Sequence, residues 1–396
     1  MHRQCDGRFL FGSPKQLDVS SELWQSFGTG RWRPSLRPIP ATALDALRAE
    51  PLLKHPEYWF SDGSLVLRTS STLFRVHKSQ LCRKSQFFRD LFSLAQPSDP
   101  KSGTEYMEGC PVVDLHDSPA DVAQMVKVIY DGPSFNDNSR EDFVAVSGFL
   151  RLASKYLIED SIHSKVLDHL RTAWPSTLGG WDVREDFSRT HEIETGLLRG
   201  YRFPNPIVVI NLAREIGADD LLPAAFYDLS RYSFVQIFEP GEDDPLHPSS
   251  SPAATSLSHA LAPADLQRLA LGKETAQHAI TALIQNMEHA SSDAHRRRTG
   301  VHQRSCSRSA TNVPMLCITP AACRKDLCEL VELAKQHYLM DRERGCADPL
   351  YVAEELGQLK SAEFSDCPAC ARDLEAWAAK ERERLWRAIP DWFRLR

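Results

Sequence analysis

The run from Asp62 to Phe92, DGSLVLRTSSTLFRVHKSQLCRKSQFFRDLF, constrains this chain most, because it joins two strands, a His-Lys corner and an amphipathic helix with no room for a linker. Ser64 to Arg68 and Thr72 to Val76 are short runs rich in Leu, Val and Phe, and the polar Thr69-Ser70-Ser71 between them completes a hairpin pattern. His77 and Lys78 end the second strand. Leu81, Phe87, Phe88, Leu91 and Phe92 then recur at helical spacing, with Ser85 placed to cap the turn from Phe87 to Phe92. Pro111 to His116 (PVVDLH) alternates like a third strand. Ser118-Pro119-Ala120-Asp121 supplies an N-cap, a proline at the first helical position and an acid at the third. The helix that follows puts Val122, Met125, Val126 and Ile129 on one face and stops at Gly132. Phe143, Val146, Leu150, Ala153 and Leu157 mark one more helix, and Ile162, Val166 and Leu170 another. One apolar interior holding Phe74, Phe88, Leu115 and Ile129 is expected.

These residues resemble the BTB/POZ family. Its signature is a hairpin ending in Phe-X-Val/Ala-His-Lys, then Leu, Ser-X-X-Phe, a hydrophobic strand and Tyr-X-Gly. Phe74, Val76, His77, Lys78, Leu81, Ser85, Phe88, Phe92, Val113, Leu115, Tyr130 and Gly132 stand at those positions in order. The longer phrases HPEYWFSDGSLVLR, LFRVHKSQL, FRDLFSLAQP, GCPVVDLHDSP and IYDGP are similar to BTB proteins abundant in mushroom-forming (basidiomycete) fungi. The resemblance implies an α+β fold: a BTB/POZ domain, a small β-sheet capped by a helical cluster, over residues 57–172, followed by a mostly α-helical C-terminal region. It also implies a protein–protein interaction scaffold or adaptor that self-associates through this domain. Some members bind a cullin and deliver substrates to a ubiquitin ligase. Others assemble transcriptional regulators, which makes a nuclear transcription- or chromatin-associated regulator the alternative. Cullin-binding members often carry a hydrophobic residue, any residue, then an acid after the Phe-rich helix, whereas Leu94-Ala95-Gln96 ends in an amide.

Composition shifts divide the rest. Residues 1–56 read as a leader broken by Gly and Pro, with one short helix over Thr42 to Leu53. Pro97 to Gly109 and Pro133 to Arg140 read as polar surface insertions. Residues 173–290 form a helical extension in which Asn205-Pro206 opens a helix closed by Gly217, Leu221 to Tyr232 supplies another amphipathic face, and Ile280, Leu283, Ile284 and Met287 make an apolar stripe. Pro/Ser-rich 239–262 and Ser/Arg-rich 291–314 read as linkers, and 315–396 as a C-terminal helical segment with a cysteine cluster. No apolar run approaches the roughly 20 residues of a membrane span, and the N-terminus lacks a signal-peptide stretch. A chain of 396 residues with 42% hydrophobic content builds real cores. Its net charge of −6 opposes a whole-molecule affinity for nucleic acid, and His295-Arg296-Arg297-Arg298 reads as a solvated run. Ten cysteines without an export signal imply thiols or metal ligands in an intracellular compartment, cytoplasm or nucleus.

The metal candidates are Cys323, Cys367 and Cys370. Cys367-Pro368-Ala369-Cys370 precedes a helix whose Leu374, Trp377, Ala378 and Leu385 form a stripe, and Cys323 begins one with Leu327, Leu330, Val331 and Ala334 inward. Helix N-termini favour the thiolate that zinc needs, and a tetrahedral structural site would take Cys317, Cys346 or His337 as its fourth ligand. Cys328 lies about 140° around the helix from Cys323 and points elsewhere. The competing reading is that these thiols pack as small hydrophobes. No phosphate loop, nucleophile elbow or metalloprotease motif occurs, so no catalytic residue and no enzyme activity is expected. His77 reads as tying the helix start to the strand end, and Asp62 and Asp90 as turn and surface acids.

Overall fold

A computed structural model describes residues 52–94, 105–248, 258–299, 317, 319–340, 347–358 and 367–396, with the backbone alone over 288–299. The hairpin forms as its composition requires. Strands β2 (Leu65–Arg68) and β3 (Thr72–Val76) pair antiparallel with Leu65 opposite Val76 and Arg68 opposite Leu73. The Thr69 hydroxyl donates to the Thr72 carbonyl at 2.8 Å and closes the turn. β1 (Leu53–Trp59) lies parallel to β3, and β5 (Cys110–Asp114) lies parallel to β2 and antiparallel to the two-residue β4 (Tyr106–Met107), giving the sheet order β1-β3-β2-β5-β4.

Two of these strands depart from the sequence reading. β1 begins inside the stretch read as leader, and β4 lies inside the Pro97 to Gly109 insertion. Residues 42–51 of the expected leader helix lie outside the described residues, and Leu53 is in a strand. Pro56 lacks an N–H, so the ladder between β1 and β3 shifts register between Lys54 and Trp59. The His55 ring takes up the freed donors, its Nδ1 accepting from the N–H groups of Glu57 at 3.2 Å and Tyr58 at 3.1 Å.

Helices α1 (Lys78–Lys84) and α2 (Gln86–Ser93) follow the hairpin directly. α3 (Pro119–Asp131), α4 (Arg140–Lys155) and α5 (Asp160–Ala173) complete the cluster over the sheet. Phe74, Phe88, Leu115 and Ile129 share one buried core with Met125, Phe149 and Leu150. The opposite sheet face holds a smaller cluster of Val66, Leu73 and Cys110. α3 ends at Gly132, whose φ of +83° suits a residue without a Cβ. Ser118 occupies the N-cap position of α3 without a side-chain capping bond. Leu157 falls beyond the end of α4, exposed and at φ +48°, rather than on its apolar stripe. The Pro133 to Arg140 insertion is anchored: buried Asn138 donates to the His169 carbonyl at 3.0 Å, and the Asp142 carboxylate accepts from the N–H groups of Asn136 and Asn138, each at 3.1 Å.

The rest of the described residues are mostly helical. α6 (Leu178–Thr195), α7 (Pro206–Ile216), α8 (Leu222–Ser230) and the short α9 (Phe234–Phe238) lead to α10 (Pro263–Thr299). α10 runs nine residues past 290, where the sequence reads as linker. α11 (Pro320–Ala334), α12 (Pro349–Gln358) and α13 (Pro368–Trp392) follow. Ile280, Leu283, Ile284 and Met287 of α10 join Leu327, Leu330 and Val331 of α11 and Leu385 and Ile389 of α13 in the same core that holds the sheet.

Candidate functional site

Two places concentrate chemistry, the His77 corner and a cysteine cluster at the start of α11 and α13. At the corner, the His77 N–H donates to the Tyr130 hydroxyl at 2.8 Å, and the same hydroxyl lies 2.8 Å from His77 Nδ1. His77 Nε2 lies 3.2 Å from Asp62 Oδ2, and the hydrogen bond from this imidazole, first among its causes, holds the exposed Asp62 carboxyl below its usual range. Ser64 also holds the start of α1, its Oγ accepting from the Lys78 N–H at 3.0 Å. The His77 ring therefore ties the strand end to the C-terminal turn of α3 through Tyr130, while its backbone carbonyl starts α1 by accepting from the Gln80 N–H at 3.1 Å and the Leu81 N–H at 3.4 Å. Phe60 stacks on Tyr130 with ring centroids 5.0 Å apart, which closes the corner as a structural joint. Asp90 accepts from Gln86 Nε2 at 2.7 Å as a surface acid.

The cysteine cluster is built by two helix starts. Cys367 is the N-cap residue of α13 and Cys370 lies in its first turn, because Pro368 begins the helix where its missing N–H costs nothing. Pro320 does the same for α11, placing Cys323 in the first turn, with Cys317 in the segment just before. The sulfurs of Cys317, Cys323, Cys367 and Cys370 all lie within 4.8 Å of one another. Cys317 Sγ and Cys323 Sγ are 3.6 Å apart, and Thr319 Oγ1 is 3.6 Å from Cys323 Sγ. The described cysteines form no disulfide. Burial pushes the Cys323 and Cys370 thiols above their ordinary range, and the neighbouring sulfurs push Cys370 further.

Three of these four are the residues the sequence singles out, and the fourth sulfur beside them is that of Cys317. Four sulfurs this close could hold a zinc ion. His337 lies instead in the π-helical turn Lys335–Met340, edge-on to Tyr338 at 4.7 Å, and stands outside the cluster. Cys328 is exposed on α11, away from the group. Cys346 lies outside the described residues.

Between α6 and α12 a cleft of about 460 Å³ is lined by Trp181, Glu185, Arg231, Asp348 and Arg382 among others. Its charges pair with one another. Arg231 bridges Glu185 at 2.8 Å and Asp348 at 3.2 Å, while Arg382 meets Asp182 and, at 3.3 Å, Glu354. This cleft is not legible in the sequence, since its residues come from segments far apart in the chain.

No helix among the described residues is long and apolar enough to cross a membrane. No curated protein matches the chain. Residues 52–171 match the family model of the BTB/POZ domain, and the matched span coincides with the sheet, its second apolar face and helices α1 to α5. The chain carries a BTB/POZ domain with a small mixed five-stranded sheet, followed by a mostly helical C-terminal region.

Proposed function

We propose that this chain is a protein–protein interaction scaffold whose BTB/POZ unit associates with a second copy of itself, while the helical C-terminal region presents a further surface. No bond is made or broken in this function. The match of residues 52–171 to an interaction domain carries the reading. The sheet supports it: β1 is an edge strand, no further strand covers its outer edge among the described residues, and Leu53 on it is 64% exposed. An open strand edge offers main-chain donors and acceptors to another chain. The finer role, a substrate adaptor for a cullin-type ubiquitin ligase, draws support from the family alone. Leu94 is exposed after α2, residues 95 and 96 lie outside the described residues, and Gln96 stands where cullin-binding members carry an acid. Membership among the BTB proteins of mushroom-forming fungi rests likewise on the sequence phrases.

Light scattering of the full chain tests the self-association. Twice the chain mass at micromolar concentration is expected, and a monomer there overturns it. Retention of a cullin from a fungal extract on the immobilised full chain supports the adaptor role, and its consistent absence rejects that role while leaving self-association to the scattering result.

A further inference from the structure

We propose that Cys317, Cys323, Cys367 and Cys370 hold one structural zinc ion as a closed tetrathiolate, stapling the start of α11 to the start of α13. Three observations meet here. The first is distance. A tetrahedral zinc with Zn–S bonds of about 2.3 Å sets its sulfurs about 3.8 Å apart. The 3.6 Å between Cys317 and Cys323 and the 4.8 Å bound on the whole group bracket that spacing.

The second is what surrounds the sulfurs. Cys323, Cys367 and Ala369, with Cys317 and Cys370 packed on them, form a small cluster of their own that meets the main core through Cys370. Among the described residues, the one apolar side chain it holds besides the cysteines is that of Ala369. So little apolar area gives weak cohesion, and four thiols converging on a shared centre add only feeble S–H hydrogen bonds. A metal at that centre supplies the missing cohesion.

The third is charge. A zinc tetrathiolate carries a net charge of about −2, which an apolar site would resist. Here the cluster sits at two helix N-termini, those of α11 and α13, whose positive dipole ends favour negative charge. Burial disfavours an uncompensated thiolate at these positions. The ion reverses this by replacing the thiol protons. Four protein sulfurs leave no coordination position for water or substrate, so the site is structural. It belongs to a part of the molecule that the BTB/POZ reading does not involve, and the two stand or fall separately.

The full chain, purified under reducing conditions, is expected to contain about one zinc per chain by elemental analysis. The double variant Cys367→Ser, Cys370→Ser is expected to lose that zinc, while Cys328→Ser, altered at an exposed thiol outside the cluster, keeps it. Replacing zinc by Co²⁺ in the unmodified, reduced chain should give the intense visible absorption of tetrahedral cobalt with thiolate charge transfer; this readout decides the matter if the double variant fails to fold. The proposal is overturned by a reduced chain that contains no zinc and gives no such absorption. Zinc retained by the double variant, iron found in its place, or cysteine pairs joined as disulfides in anaerobically isolated protein would equally overturn it.

Discussion

Ser85 shows how much one hydroxyl can hold. Fully buried between α1 and α2, its Oγ accepts from the Phe88 N–H at 3.1 Å and donates to the Tyr156 carbonyl at 2.6 Å. One side chain thus caps α2 and joins it to the end of α4. Ser85→Ala removes the cap and takes a donor from a buried carbonyl, so a loss of about 2 kcal/mol is expected in urea unfolding of the full chain. An unchanged midpoint would show that neither bond matters. The cap was legible in the sequence because Ser-X-X-Phe places a hydroxyl three residues before a helical N–H. Its second bond was not, since Tyr156 is 71 residues away. The same limit explains His77, whose partner Tyr130 is 53 residues distant.

Among elements, hydrophobic period was a sound guide where one face is buried and failed where it is not. β2, β3, α3 and α5 follow their apolar stripes. β1, LKHPEYW, has a proline, three charged residues or histidine and one buried position, so nothing in its period separates it from a loop; pairing with β3 makes it a strand. The contact between α10 and α13 is a second case. A Cβ on Gly272 would stand 2.0 Å from the Phe393 ring, which stacks on Phe226 at 5.3 Å. That glycine permits the helices to close. Gly272→Ala is expected to cost about 1–3 kcal/mol by overpacking. Adding Phe393→Leu should recover part of the loss relative to that substitution alone, and purely additive losses would mean that the two positions do not meet.

At the scale of the molecule, the C-terminal helices are joined to the segment after the BTB/POZ domain by a buried ion network. Arg184, 3% exposed, pairs with Asp228 at 2.6 Å and lies over the rings of Trp174, Trp181 and Phe203. Arg231 extends the network to Glu185 and, across to the start of α12, Asp348. Burial opposes ionisation of Asp228 and Glu185, but Arg184 and Arg231 overcome it and hold both carboxyls below their ordinary range. Lowered folded values mean that this stabilisation is complete above the unfolded values near 4 and is lost as pH falls through the folded ones. Thermal unfolding is therefore expected to drop below about pH 4. Asp228→Asn should cost about 3–5 kcal/mol at neutral pH, because Arg184 loses its buried counter-charge, and should flatten the acid dependence. An acid slope identical to that of the parent chain would contradict the assignment.

The sequence by itself determined the hairpin, the helices of residues 57–172 with their apolar faces, and the three cysteines at two helix starts, since each depends on neighbours within a few turns of chain. Only the tertiary structure decided the five-stranded order, the partner of His77, the fourth cysteine and the ion network. These join residues tens to hundreds of positions apart, and a local pattern carries no record of which distant segment will arrive beside it.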